Sequence, residues 1–141
     1  MSYRPAKPPF EVDLDYCFAE ALWWCDVIGA RVPEKRLDND IGICSRKDFL
    51  AITDMDDRGR FKITVSTLAY KQLGHDEDKW IDLFIHELLH TVKGCYNHGK
   101  KWKHLVERMN KATRNINPYP YAKRPRPTHF DAEGKPVPYS F

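Results

Sequence analysis

The run His86-Glu87-Leu88-Leu89-His90 restricts the fold more than any other stretch of this 141-residue chain. Residues four apart on an α-helix share a face and lie roughly 6 Å apart, so the two histidines can point at one metal ion only if the stretch is helical. Glu87, turned about 100° from His86, then sits beside the metal rather than on it. A carboxylate in that place suits a general base that takes a proton from a metal-activated water. A catalytic zinc usually keeps three protein ligands and one open position, and His98, just beyond Gly94, is the natural third ligand. Leu83, Phe84, Leu88 and Leu89 make the segment largely apolar, and a lone histidine in it would read as a core residue. Two histidines at ligand spacing, a glutamate between them and a third histidine downstream are hard to attribute to packing.

The remaining elements follow from periodicity. Apolar positions Leu14, Cys17, Phe18, Ala21, Leu22, Cys25 and Ile28 repeat at three and four, which predicts an amphipathic helix over Phe10 to Ile28, with acids at its start and Gly29 at its end. Trp23 and Trp24 are adjacent, so at least one lies at the margin of the buried face. After a polar connection from Arg31 to Asp40, strands are expected over Ile41 to Ser45, Asp48 to Thr53 and Arg60 to Val65. The acids of Asp54 to Gly59 lack the spacing of a calcium loop and read as a solvated hairpin turn. A short helix over Ser66 to Leu73 is stopped by Gly74, and the motif helix starts at Asp76, a side chain suited to cap it. Trp102, Leu105, Val106 and Met109 predict a second helix packed on the first, with His104 off the buried face. The fold class is therefore α+β: an N-terminal helix, a small three-stranded sheet, then a helix pair carrying the histidines.

With 42% hydrophobic and 30% charged residues and a net charge of +3, the chain reads as one globular domain whose charge permits nucleic-acid contact without arguing for it. Residues 1–9 read as a flexible leader, 10–113 as the folded domain, and 114–141 as a proline-rich basic tail. In that tail, Arg114, Lys123, Arg124 and Arg126 interleave with Tyr119, Tyr121 and Phe130, a pattern suited to single-stranded nucleic acid; the weak net charge favours a packed or solvated tail instead. Cys17, Cys25, Cys44 and Cys95 contain no C-x-x-C pair, and Cys17 and Cys25 would lie about 12 Å apart on one helix, too far for a disulfide. With no signal peptide and no membrane span in the sequence, a reducing, cytoplasmic setting is the default expectation.

His-Glu-Leu-Leu-His, the exit glycine, and then Asn97-His98-Gly99-Lys100-Lys101-Trp102 resemble the SprT-like zinc metallopeptidases, the Spartan/SprT group, over roughly Phe10 to Asn110. The resemblance implies a zincin-type active-site helix pair, Zn2+ held by His86, His90 and His98, Glu87 as the catalytic acid/base, a protein or peptide substrate, and a substrate-pairing edge strand near Phe61 to Ser66. Metzincins place the third histidine six residues after the second and a glycine three after it; here the intervals are eight and four, so that clan fits poorly. Some SprT-like relatives act on proteins attached to DNA, and many carry a C-terminal zinc ribbon, for which this tail has no cysteine. The leading expectation is a zinc-dependent endopeptidase, possible DNA contact residing in the basic tail; the competing one is a DNA-associated binding protein with a structural zinc. Tyr70, Tyr96 and His75 are candidates for stabilising the oxyanion.

Overall fold

The computed structural model describes residues 3–34, 36, 41–114, 121–122 and 127–137. Its elements are α1 (Leu14–Val27), β1 (Gly42–Cys44), β2 (Ala51–Met55), β3 (Phe61–Ser66), α2 (Thr67–Leu73), α3 (Glu77–His90) and α4 (Lys100–Thr113). Helix α1 begins where Asp13 accepts a hydrogen bond from the Tyr16 N–H, and the chain leaves it through Gly29 at φ +75°. It buries Cys17, Phe18, Ala21, Trp24 and Cys25 against α3, with the Phe18 and Phe84 rings edge to face at 6.0 Å. The paired tryptophans divide as expected: Trp24 is 5% exposed and Trp23 56%. All four cysteines are buried free thiols, and among the described residues no helix is long and apolar enough to cross a membrane.

The sheet order is β1-β3-β2, with β1 parallel and β2 antiparallel to β3. Strand β3, expected at an edge, is therefore central. Its burial gives the reason: Phe61, Ile63 and Val65 face the core while Thr64 and Ser66 are buried too, which requires neighbours on both sides. Strand β2 also starts three residues later than expected. Phe49 and Leu50 are buried, but residues 48–50 pair outward with the C-terminal segment: Leu50 N–H donates to Thr128 O and Phe130 N–H to Asp48 O, each at 2.8 Å. In the β2–β3 turn, Asp56 accepts from the N–H groups of Arg58 and Arg60 and pairs with the Arg60 guanidinium, so this acid serves the turn.

Ser66 occupies the N-cap position of α2, yet its hydroxyl donates instead to Phe49 O at 2.6 Å, tying the end of β3 to the segment before β2. Asp76 caps α3 through the Asp78 N–H. This helix is buried almost throughout, and Trp80, wholly enclosed, donates its indole N–H to Gly74 O. Residues 3–9, expected as a leader, run beside β1, where Ala6 N–H meets Ile43 O. The described part of the tail packs on the domain: the Tyr121 hydroxyl donates to Asp78, and the Ala122 N–H to Asp82. Tyr119, Lys123, Arg124 and Arg126, which carry much of the nucleic-acid expectation, lie outside the described residues, as do most of residues 35–40 in the expected connection.

Ser66→Ala removes the donor facing Phe49 O in a buried site, and losing one such partner costs about 1–3 kcal/mol. Urea denaturation should show a loss of that size with an unchanged m-value.

Candidate metal centre and cleft

Helix α3 carries His86 and His90 on one face, and the way it ends places the third histidine. The chain turns at Gly94, which sits at φ +84°, a conformation that a side chain makes costly. Just beyond, Cys95 O accepts from His90 Nδ1 at 2.9 Å, and Asn97 Oδ1 takes the Gly99 N–H at 2.9 Å, setting the start of α4. Trp102, buried in the first turn of α4, forms the floor. Its ring stacks on His90 at 5.2 Å and 9°, and meets His86 at 5.0 Å and His98 at 4.5 Å.

The three Nε2 atoms converge: His86 to His90 is 3.2 Å, His90 to His98 2.9 Å and His98 to His86 3.3 Å. With Nδ1 of His90 donating to Cys95 O, its Nε2 presents a bare lone pair. Neutral imidazoles cannot hydrogen-bond all the way around such a triangle, because each Nε2 is either a donor or an acceptor and never both. A cation at the centre satisfies all three at once. Nitrogens about 2.0–2.1 Å from one tetrahedral ion lie roughly 3.3 Å apart, close to the spacing seen, so the residues present fit a metal such as zinc. Burial holds the imidazoles in the neutral, ligating form: it lowers the pKa of His86 well below the ordinary range, and that of His98 to about 4, with the neighbouring histidines adding to both shifts. His90 is lowered mainly by burial too, its bond to Cys95 O opposing the change.

Glu87 is 2% exposed and faces β2, where the Thr53 hydroxyl donates to its Oε1 at 3.2 Å; Oε2 lies 3.8 Å from His86 Nε2. Burial pushes the carboxyl pKa up to about 8, against the Thr53 bond. A cation among the histidines would favour the charged form and draw it back down. Glu87 thus stands beside the converging nitrogens, placed to exchange a proton.

These groups open into a cleft of about 450 Å³. Strand β2 contributes Ile52, Thr53 and Met55, α3 contributes Glu87 and His90, the loop after it Tyr96, Asn97 and His98, and the C-terminal segment His129. Sequence reasoning passed over Thr53 and His129, since neither belongs to a spaced motif. Of the three oxyanion candidates only Tyr96 lines the cleft. Tyr70 and His75 pack against Phe10, at 5.4 and 4.2 Å. His104 is exposed on α4, and Cys95 is buried with its carbonyl, not its thiol, serving the site.

The model of the SprT-like family matches residues 27–122, a span that holds all three histidines and Glu87 and stops short of His129. No curated protein and no solved structure matches the chain.

His98→Ala removes one of three converging donors, and elemental analysis should show zinc occupancy sharply reduced in a protein that still folds. A second expectation concerns the protein stripped of metal by a chelator. The folded pKa of Glu87 is raised from 4.5 to about 8, so its burial costs nothing below pH 4.5 and progressively more as pH rises toward 8, where the cost levels off. Glu87→Gln lacks this penalty. In denaturant titrations the metal-free variant should match its parent below pH 4.5 and exceed it in stability above about pH 8.

Proposed function

This chain belongs to the SprT-like family, and on that premise we propose that it is a zinc-dependent endopeptidase. The observation that carries the reading is a buried carboxylate placed beside a triangle of histidine nitrogens that opens into a cleft. A closed structural site has no use for Glu87 in that position. His86, His90 and His98 would hold the ion, which when bound supplies Lewis acidity for the peptide carbonyl and for the attacking water. Glu87 removes a proton from that water and later delivers it to the departing amine, while Thr53 holds the carboxylate's other oxygen in line. The backbone of β2 forms one wall of the cleft, and its outer edge over Ala51–Met55 is the surface on which an extended peptide can pair.

Proteins carried on DNA suit the reading as substrates. The outer face of α4 exposes Lys100, Lys101, Lys103, Arg108 and Lys111 against the single carboxylate of Glu107, and phosphate contacts made by such a face weaken steeply with salt.

Glu87→Gln keeps volume and shape but removes the proton acceptor. At unchanged zinc content, hydrolysis of unfolded proteins should fall by about 10²- to 10⁴-fold, in assays run with and without DNA. A variant as active as its parent would remove Glu87 from the mechanism. A zinc-loaded parent that cleaves nothing under either condition would leave the structural-zinc reading.

A further inference from the structure

The C-terminal segment is built as a support. Residues 129–137 fold back as a hairpin: Val137 N–H donates to His129 O at 3.0 Å, Asp131 N–H to Lys135 O at 2.9 Å, and the Asp131 carboxylate takes the N–H groups of Glu133 and Lys135. The hairpin is pinned to the segment before β2 by the Thr128–Leu50 and Phe130–Asp48 bonds, so His129 lies opposite Phe49 in an antiparallel bridge. Among the described residues this pairing ends at Leu50, where the outer edge of β2 begins. A peptide laid on β2 therefore runs up against the strap that presents His129 to the cleft.

The cleft has few protic groups to offer such a peptide. Glu87 is an acceptor, the Thr53 hydroxyl is committed to it, and the histidine nitrogens of the triangle face one another. Tyr96 is 63% exposed on the loop, and Asn97 beside it is exposed too, its Oδ1 engaged by the Gly99 N–H. His129 is half-buried and fixed at the backbone on both sides, and its Nδ1 lies 3.1 Å from Thr128 Oγ1 within the strap. When the Thr128 hydroxyl donates to Nδ1, the ring proton sits on Nε2, and His129 then has an N–H to offer the cleft it lines.

We propose that His129 is a further catalytic residue, its Nε2–H donating to the carbonyl oxygen of the cleaved peptide as negative charge develops there. The inference rests on the peptidase reading and adds to it a residue outside the span that matches the family. A fixed donor aimed at a developing oxyanion acts mainly in the transition state, and its loss lowers kcat more than it raises KM.

The test compares His129→Ala, His129→Gln and Tyr96→Phe with the parent, reading kcat, KM, zinc content, melting temperature, and affinity for a phosphinic peptide whose tetrahedral oxygen imitates the developing charge. His129→Ala should lose about 10²- to 10³-fold in kcat with KM and zinc content little changed. Phosphinic-peptide affinity should fall with it, while His129→Gln, which keeps an N–H donor, recovers part of both. Parent-like turnover and affinity in His129→Ala would overturn the assignment. So would equal losses in the Ala and Gln variants accompanied by a lowered melting temperature, which marks a structural role, or the loss appearing in Tyr96→Phe instead. A zinc-loaded parent inert toward all peptides overturns the peptidase reading itself, an outcome separate from an active parent with an indifferent His129.

Discussion

Three imidazole nitrogens brought within 2.9–3.3 Å of one another are all satisfied at once by a cation between them, and the architecture around the candidate site acts to hold that arrangement. Two of the donors come from consecutive turns of α3. That helix is fixed along most of its length, packed on α1 on one side and on the sheet on the other. The third comes from a loop that would be free to drift were it not for the turn at Gly94, the Cys95 carbonyl on His90 and the Trp102 floor under all three rings. The convergence of the three nitrogens thus depends on contacts that are themselves ordinary packing and backbone hydrogen bonds.

Glu87 adds an opposing demand. Burial disfavours its charged form, and the Thr53 hydroxyl offsets only part of that cost. The carboxylate is tolerated as an anion when positive charge is nearby, so a cation held among the histidines would also favour ionised Glu87. Helix and sheet meet at the Thr53 hydroxyl, which makes β2 both a wall of the cleft and a support for the Glu87 carboxyl. The centrality of β3 follows from the same economy of burial: the most enclosed strand takes two neighbours, and β2 is an edge strand among the described residues.

The strap formed by residues 127–137 lies outside the span that matches the family, and it extends the line of β2's outer edge. Its position gives this chain a means of shaping the end of the cleft that the helix pair alone does not supply. Hairpin bonds and the pairing to residues 48–50 make it a fixed boundary.

Local spacing by itself determined the helices and the core of the candidate site. His86, Glu87 and His90 are related by the pitch of one helix, Gly29, Gly74 and Gly94 mark exits that need positive φ, and Trp102, Leu105, Val106 and Met109 share one face of α4. These relations span a few residues and need no knowledge of the rest of the chain. Strand order, the neighbours of β3 and the offset of β2 were decided by long-range pairing, because alternation shows which face a strand buries but not which strand lies beside it. The Ser66 hydroxyl illustrates the limit: its place before a helix suggests a cap, yet a carbonyl seventeen residues away claims it. Thr53 reaches Glu87 from thirty-four residues upstream. His129 enters the cleft only because its strap pairs with residues 48–50, a contact that depends on tertiary closure and leaves no periodic trace in the sequence.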